Sequence, residues 1–274
     1  MFSSPTSVSI DSAGNLYLAD NGNHRIRRID TNSMVITYAG TGAIASDDGP
    51  RLNATFGSLT QTAINSRGDL YVGDWARLRK ISIEGNVTTV AGPGNWCCGW
   101  SGYVGVGVDS IGNPYVGVSG GPVRIVDFTG ADSIFAGGIP GHADGPRLLA
   151  QFDSNFHINS PLPRYLGGDH LGNLFVSDRN WIRKIDTNGI VSTLASVSRL
   201  GSGVPPPLGF AMGVCVDNAG NVYASDILNH TIRKLSADTD FDGVPDTEAR
   251  TTISDSQRQT FALDGGGVSF QQAS

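Results

Sequence analysis

The chain has 274 residues, 39% hydrophobic and 16% charged, a balance that excludes a disordered chain or a coiled coil. Its 37 glycines and 13 prolines favour many short strands joined by tight turns over long helices. A formal net charge of −6, with Lys and Arg scattered along the chain, gives no basic footprint for nucleic acid and no polybasic patch for a membrane surface.

Met1-Phe2-Ser3-Ser4-Pro5 runs straight into a repeat without a signal peptide, and no run of 18 apolar residues reads as a membrane helix. The first unit reads Val8–Asp20, then Arg25–Asp30, then Val35–Gly40. The second gives Thr62–Asn65, Gly68–Asp74, Leu78–Ile81 and Val87–Gly92. The third centres on Gly112-Asn113-Pro114-Tyr115-Val116, the fourth on Gly172–Asp178 and the fifth on Gly220–Asp226. Each holds four short apolar or alternating runs parted by Gly, Asn or Asp, which predicts a four-stranded antiparallel meander, strands a to d. Between a and b, Asp11 can hydrogen-bond forward to the backbone and Gly14 can take a positive φ, which makes a tight hairpin.

Units of roughly 40–60 residues with four strands read as blades that stack around an axis, because one blade alone cannot bury both its faces. The expected fold is all-β: a β-propeller of five recognisable blades over residues 1–236, with sequence for an incomplete sixth. Residues 237–249 form an acidic loop, and 250–274 a C-terminal segment. That segment is expected to supply the outer strand of blade five at Thr251–Ser254 and a partial sixth blade through Phe261–Leu263 and Val268–Phe270.

The repeats resemble the NHL family, named for an Asn-His-Leu triplet that Asn23-His24-Arg25-Ile26-Arg27 and Asn229-His230-Thr231-Ile232-Arg233 approximate. The resemblance runs from about Phe2 to Ser236, and it specifies fold far better than function. Bacterial proteins of this kind often carry inter-blade loops like Asp47–Leu52 and Ala143–Leu148. The resemblance also implies a competing reading, a propeller enzyme of lyase or lactonase type with a metal in the central channel. First strands rich in Val8, Val104, Val106, Val108, Met212 and Val214 argue against it, and only Asp153, Asn155, His157 and Asn159 could serve such a site.

Asp20, Asp74, Asp178 and Asp226 each end strand b, with Arg27, Arg79, Arg183 and Arg233 five or seven residues on. Blade three has Val118 in place of the acid but keeps Arg124. A catalytic group would be expected once, so the repetition predicts ion pairs that tie strand b to strand c. His24 and His230 share a repeat position and read as turn residues; His142 and His157 are not repeated. Cys97, Cys98 and Cys215 allow either one disulfide from Cys215 or three thiols.

Two features do not repeat. In Asp238-Thr239-Asp240-Phe241-Asp242-Gly243-Val244-Pro245-Asp246-Thr247-Glu248, oxygen ligands fall at loop positions 1, 3, 5, 7 and 9 with Gly at 6, a spacing that suits calcium. The expected ligands are Asp238, Asp240, Asp242, the Val244 carbonyl, Asp246 and Glu248. The segment resembles the calcium loops of thrombospondin type 3 repeats. It departs from the EF-hand where Ala249 replaces the terminal acid, and because a single isolated loop supplies no bistable helix pair, calcium is expected to be structural.

The second feature is aromatic. Trp75 and Trp181 lie in or beside b–c loops, and Trp96 and Trp100 lie in a d–a connection. In a propeller these segments emerge on one face, which His142 shares. That face predicts a non-catalytic scaffold that binds a protein or glycan, extracellular or on a cell surface.

Overall fold

The computed structural model describes residues 1–92, 104–118, 121–153, 164–195, 211–217, 219–235 and 248–251. The regular elements are strands, apart from one 3-10 turn at Asn21–Asn23. Each repeat folds as four antiparallel strands in chain order, which makes five blades of a propeller. Blade one is Pro5–Ile10, Leu16–Asp20, Arg25–Ile29 and Val35–Ala39. Blade two is Leu59–Ile64, Leu70–Asp74, Arg77–Ile81 and Asn86–Ala91. Blade three is Val104–Val108, Pro114–Val118, Val123–Val126 and Asp132–Ala136. Blade four is Leu166–Gly168, Leu174–Asp178, Trp181–Ile185 and Ile190–Ala195. Blade five is Ala211–Val216, Val222–Asp226, Thr231–Leu235 and Glu248–Thr251.

The expected hairpin chemistry is present. Asp11 Oδ1 accepts the Ala13 and Asn15 amides at 2.9 and 2.8 Å, Oδ2 accepts the Asn15 side-chain amide, and Gly14 sits at φ +86°. Asp109, Asp169 and Asp217 make the same forward bonds in blades three, four and five, and Asn65 does so through its amide oxygen in blade two. One local rule thus sets the register of five first hairpins.

Burial depends on a blade's place in the ring. The second strands of blades two, three and four are buried at every residue, because each lies between two neighbouring blades. Those of blades one and five alternate between buried and partly exposed positions. The core lies between blades: Leu78 of blade two joins Val106 and Val116 of blade three, and Ile182 of blade four joins Val214 and Ala224 of blade five.

The two Asp-Gly-Pro connections fasten neighbours together. Gly49–Pro50 pairs with the outer strand of blade two, and Gly145–Pro146 with that of blade four, giving each a fifth strand. Both lie before the blade they join. Arg51 then stacks over Tyr38 of blade one at 4.7 Å, and Arg147 over Phe135 of blade three at 4.6 Å. These loops therefore clamp one blade to the next.

The outer strand of blade five begins three residues before the expected Thr251. Glu248 pairs with Leu235, and Arg250 with Arg233. Glu248 is thus a strand residue, and the acidic segment 236–247 joins the third and fourth strands of that blade. The remaining expected calcium ligands, Asp238, Asp240, Asp242, Val244 and Asp246, lie outside the described residues, as do Phe261–Leu263 and Val268–Phe270.

Candidate functional site

Strand b ends on a buried acid in four blades, and three of these acids take the expected arginine. Arg79 reaches Asp74 at 2.7 Å, Arg183 reaches Asp178 at 3.4 Å and Arg233 reaches Asp226 at 3.1 Å. Blade one differs. Asp20 accepts the Ser3 amide at 2.7 Å and the Asn23 side-chain amide at 2.8 Å, while Arg27 donates to Thr37 Oγ1. Its carboxylate oxygens are already held by its own turn and the segment before its first strand. In blade three, where Val118 replaces the acid, Arg124 pairs with Asp132 of the outer strand.

Asp74 also accepts the Gly57 and Ser58 amides, at 2.8 and 3.1 Å, so one carboxylate fixes both its own blade and the incoming connection. Arg79 and Arg183 are each shared with the Asp-Gly-Pro loops, through Asp48 at 2.9 Å and Asp144 at 2.8 Å. Asp178 faces a second guanidinium, Arg164, at 3.1 Å. Burial holds the Asp178 carboxyl above its ordinary value, with Arg164 and Arg183 pulling against it. These acids are structural parts of the ring, as their repetition implies.

Between the first strands of all five blades is an apolar cavity of about 370 Å³, lined by residues including Ile10, Ile64, Val108, Leu166 and Val216. Gln61 spans the axis. Its Nε2 donates to Leu166 O at 2.6 Å, and its Oε1 accepts the Val106 and Leu166 amides at 2.9 and 3.2 Å. One blade-two side chain thereby joins blades three and four. Sequence reasoning passed over it; the one signal was a long polar residue in an inner strand where blade three has Gly105, whose Cβ would meet Gln61 Oε1.

No carboxylate or imidazole among the described residues lines this cavity. Nor do any three His, Cys, Asp or Glu side chains among them converge as metal ligands. Asp153 forms an ion pair with Arg179 at 3.2 Å, and Asn155, His157 and Asn159 lie outside the described residues. Cys215, a free thiol on the first strand of blade five, has its pKa raised, by burial first and by Asp217 second.

The face of b–c turns and d–a connections carries three of the expected binding residues within the described chain. Trp75 occupies a left-handed turn position, φ +58°, and is 53% exposed. Its amide donates to Ser58 O at 2.8 Å, so the backbone beneath the ring is fixed. Trp181 stacks on His142, with ring centroids 3.8 Å apart and planes inclined by 27°. Trp96 and Trp100 lie outside the described residues. His24 and His230 share the same left-handed φ of 52°, and His24 Nδ1 lies 2.6 Å from Gly57 O, a contact between blades.

The family profile of the NHL repeat matches residues 2–29, which include the first three strands of blade one. Compared with curated protein sequences, the chain matches none. Among solved structures it is similar to virginiamycin B lyase from Staphylococcus aureus, at 12% identity and a TM-score of 0.56, over 92% of this chain and 71% of that one. It is similar to an auxiliary nutrient binding protein from Bacteroides ovatus, at 14% identity and a TM-score of 0.60, over 84% of this chain and 58% of that one. A gluconolactonase from Xanthomonas campestris gives 14% and 0.55, over 81% and 69% of the two chains. At these identities the likeness is one of fold, which hosts both binding proteins and enzymes. With its repeated hairpins and blade order, the chain is a β-propeller whose first blade matches the NHL repeat.

Proposed function

We propose that this propeller is a non-catalytic binding scaffold that recognises a protein or glycan on the face of its b–c turns. The observation that carries the reading is the aromatic set on that face: half-exposed Trp75 and the His142–Trp181 stack. Flat rings on fixed backbone offer contact area at little entropic cost, and a sugar ring or an apolar side chain can lie against them. The fold shared with a nutrient binding protein is consistent with this reading. An extracellular or cell-surface location fits it too.

Calcium belongs to the same proposal as a structural ion. Asp238, Asp240, Asp242, the Val244 carbonyl, Asp246 and Glu248 would hold it, and it would brace the connection between the last two strands of blade five. A glycan-array screen, repeated with Trp75→Ala and Trp181→Ala proteins, tests the binding face. Ligands lost by both variants at unchanged melting temperature support it. Ligands retained by both variants refute it.

A further inference from the structure

Four junctions join the five blades, and all follow one plan. A third-strand residue of one blade packs against first- and second-strand residues of the next. Leu78 meets Val106 and Val116 in this way, Val123 meets Leu166 and Val176, and Ile182 meets Val214 and Ala224. The register identifies the matching positions on the two unpaired flanks. Val8 pairs with Leu18 as Val106 does with Val116, and Ile232 pairs with Ser225 as Ile182 does with Ser177.

At these positions burial breaks down. Thr62, Val106, Leu166 and Val214 are buried, but Val8 is 56% exposed. Ile26, Leu78, Val123 and Ile182 are fully buried, but Ile232 is 39% exposed. Val8 and Ile232 line opposite walls of one cleft of about 370 Å³ between blades one and five. Each is half of a junction of the kind that the rest of the ring completes.

We infer that residues Gly265–Phe270 fill this cleft as the inner strand of a sixth blade position. Three observations on the chain itself select this occupant. The outer strand of blade five ends at Thr251, the point from which the chain turns inward to the next blade in every earlier case. The span 252–264 then compares with 92–103 and 196–210, which connect blades two to three and four to five. Val268-Ser269-Phe270 also matches Val8-Ser9-Ile10 and Val214-Cys215-Val216, the ends of two first strands, and Ala273 falls where Ala13 and Ala219 stand.

Cys215 reports on this strand. It pairs with Tyr223 as Gly167 does with Phe175, and a Cβ on Gly167 would meet Val214 O and the Cys215 backbone of the next blade. By the same geometry the Cys215 side chain faces the sixth position.

The first measurement is amide exchange on the unaltered protein, with its mass determined by light scattering. Protection of about tenfold or more at 265–270 over 255–260, in a monomer, is expected. Exchange at 265–270 as fast as in unstructured chain overturns the proposal. A dimer whose protection of residues 5–10 rises with protein concentration also overturns it, in favour of a second copy. The second measurement is maleimide labelling of Cys215 in a Cys97→Ser, Cys98→Ser background. Adding Val268→Asp and Phe270→Asp should speed labelling about tenfold; rates equal within about twofold overturn the placement beside blade five.

Discussion

Arg79 donates to Asp74 across 2.7 Å with both side chains wholly buried, and the same guanidinium reaches out of the blade to Asp48 at 2.9 Å. One cation thus ties the second and third strands of blade two to the connection that arrives from blade one. Removing Asp74 takes from Arg79 its one wholly buried counter-charge and from the Gly57 and Ser58 amides their acceptor, and the loss is then largely the desolvation of those survivors.

Asp74→Ala should therefore destabilise the protein by about 3–5 kcal/mol, as should Asp178→Ala, which leaves Arg164 and Arg183 facing each other. Denaturant titration checks the magnitude. A melting temperature unchanged in Asp178→Ala would show that its ion pairs contribute nothing to stability.

Gln61 predicts a different defect. Gln61→Ala strips partners from Leu166 O and from the Val106 and Leu166 amides, all buried at the axis, and should lower stability by about 2–4 kcal/mol. The loosening should be local, so amide exchange should quicken first at residues 104–108 and 166–168, with blade one least affected.

At the proposed binding face the expectation is reversed. Trp75 is half exposed, so Trp75→Ala should cost less than about 1 kcal/mol of stability while weakening ligand binding. A parallel measurement of melting temperature and ligand affinity separates the two effects; a large fall in melting temperature would instead make the ring a packing element.

Asp240→Ala tests the calcium loop. Calorimetric titration with Ca²⁺ alone should give one binding event in the unaltered protein and none in the variant. Calcium should also raise the melting temperature of the unaltered protein only. Titration heats that match buffer in both proteins would remove calcium from the account.

The hairpin tyrosines set the alkaline limit. Burial first, then Tyr38 and Asp11 nearby, push Tyr17 up to about 12, and burial likewise raises Tyr115. The folded state therefore holds these protons after the unfolded chain has released them. The stability linked to Tyr17 is intact below about pH 10, where an unperturbed tyrosine titrates, and falls as pH rises toward about 12. Thermal melts from pH 8 to 12 should show the decline beginning near pH 10, accompanied by the ultraviolet signature of phenolate.

What the sequence makes legible here is whatever repeats. The turn at Asp11–Gly14 recurs in every blade as a local code, and Asp74–Arg79 follows from two positions on adjacent strands. Contacts that join distant parts of the chain leave no such trace. Gln61 meets Leu166 only once the ring has formed, and nothing near Gly49–Pro50 announces pairing with Asn86–Val87. Glu248 belongs by its spacing to the acidic loop, and only its pairing with Leu235 shows that its backbone lies in the outer strand of blade five. In blade one, Asp20 fits the repeat, but Ser3 and Asn23 take the oxygens expected for Arg27.

The two Asp-Gly-Pro connections also bear on how the molecule avoids its own kind. An outermost strand presents unpaired amides and carbonyls that another chain could extend into an aggregate. On blades two and four that rim is taken by Gly49–Pro50 and Gly145–Pro146, and a proline has no amide to offer the next strand. Each added strand is thus both a clamp and a stop, synthesised ahead of the blade whose rim it covers. Blades one, three and five carry no such cover among the described residues, so edge-to-edge association, if the protein is concentrated or partly unfolded, should begin at Val35–Ala39, Asp132–Ala136 or Glu248–Thr251.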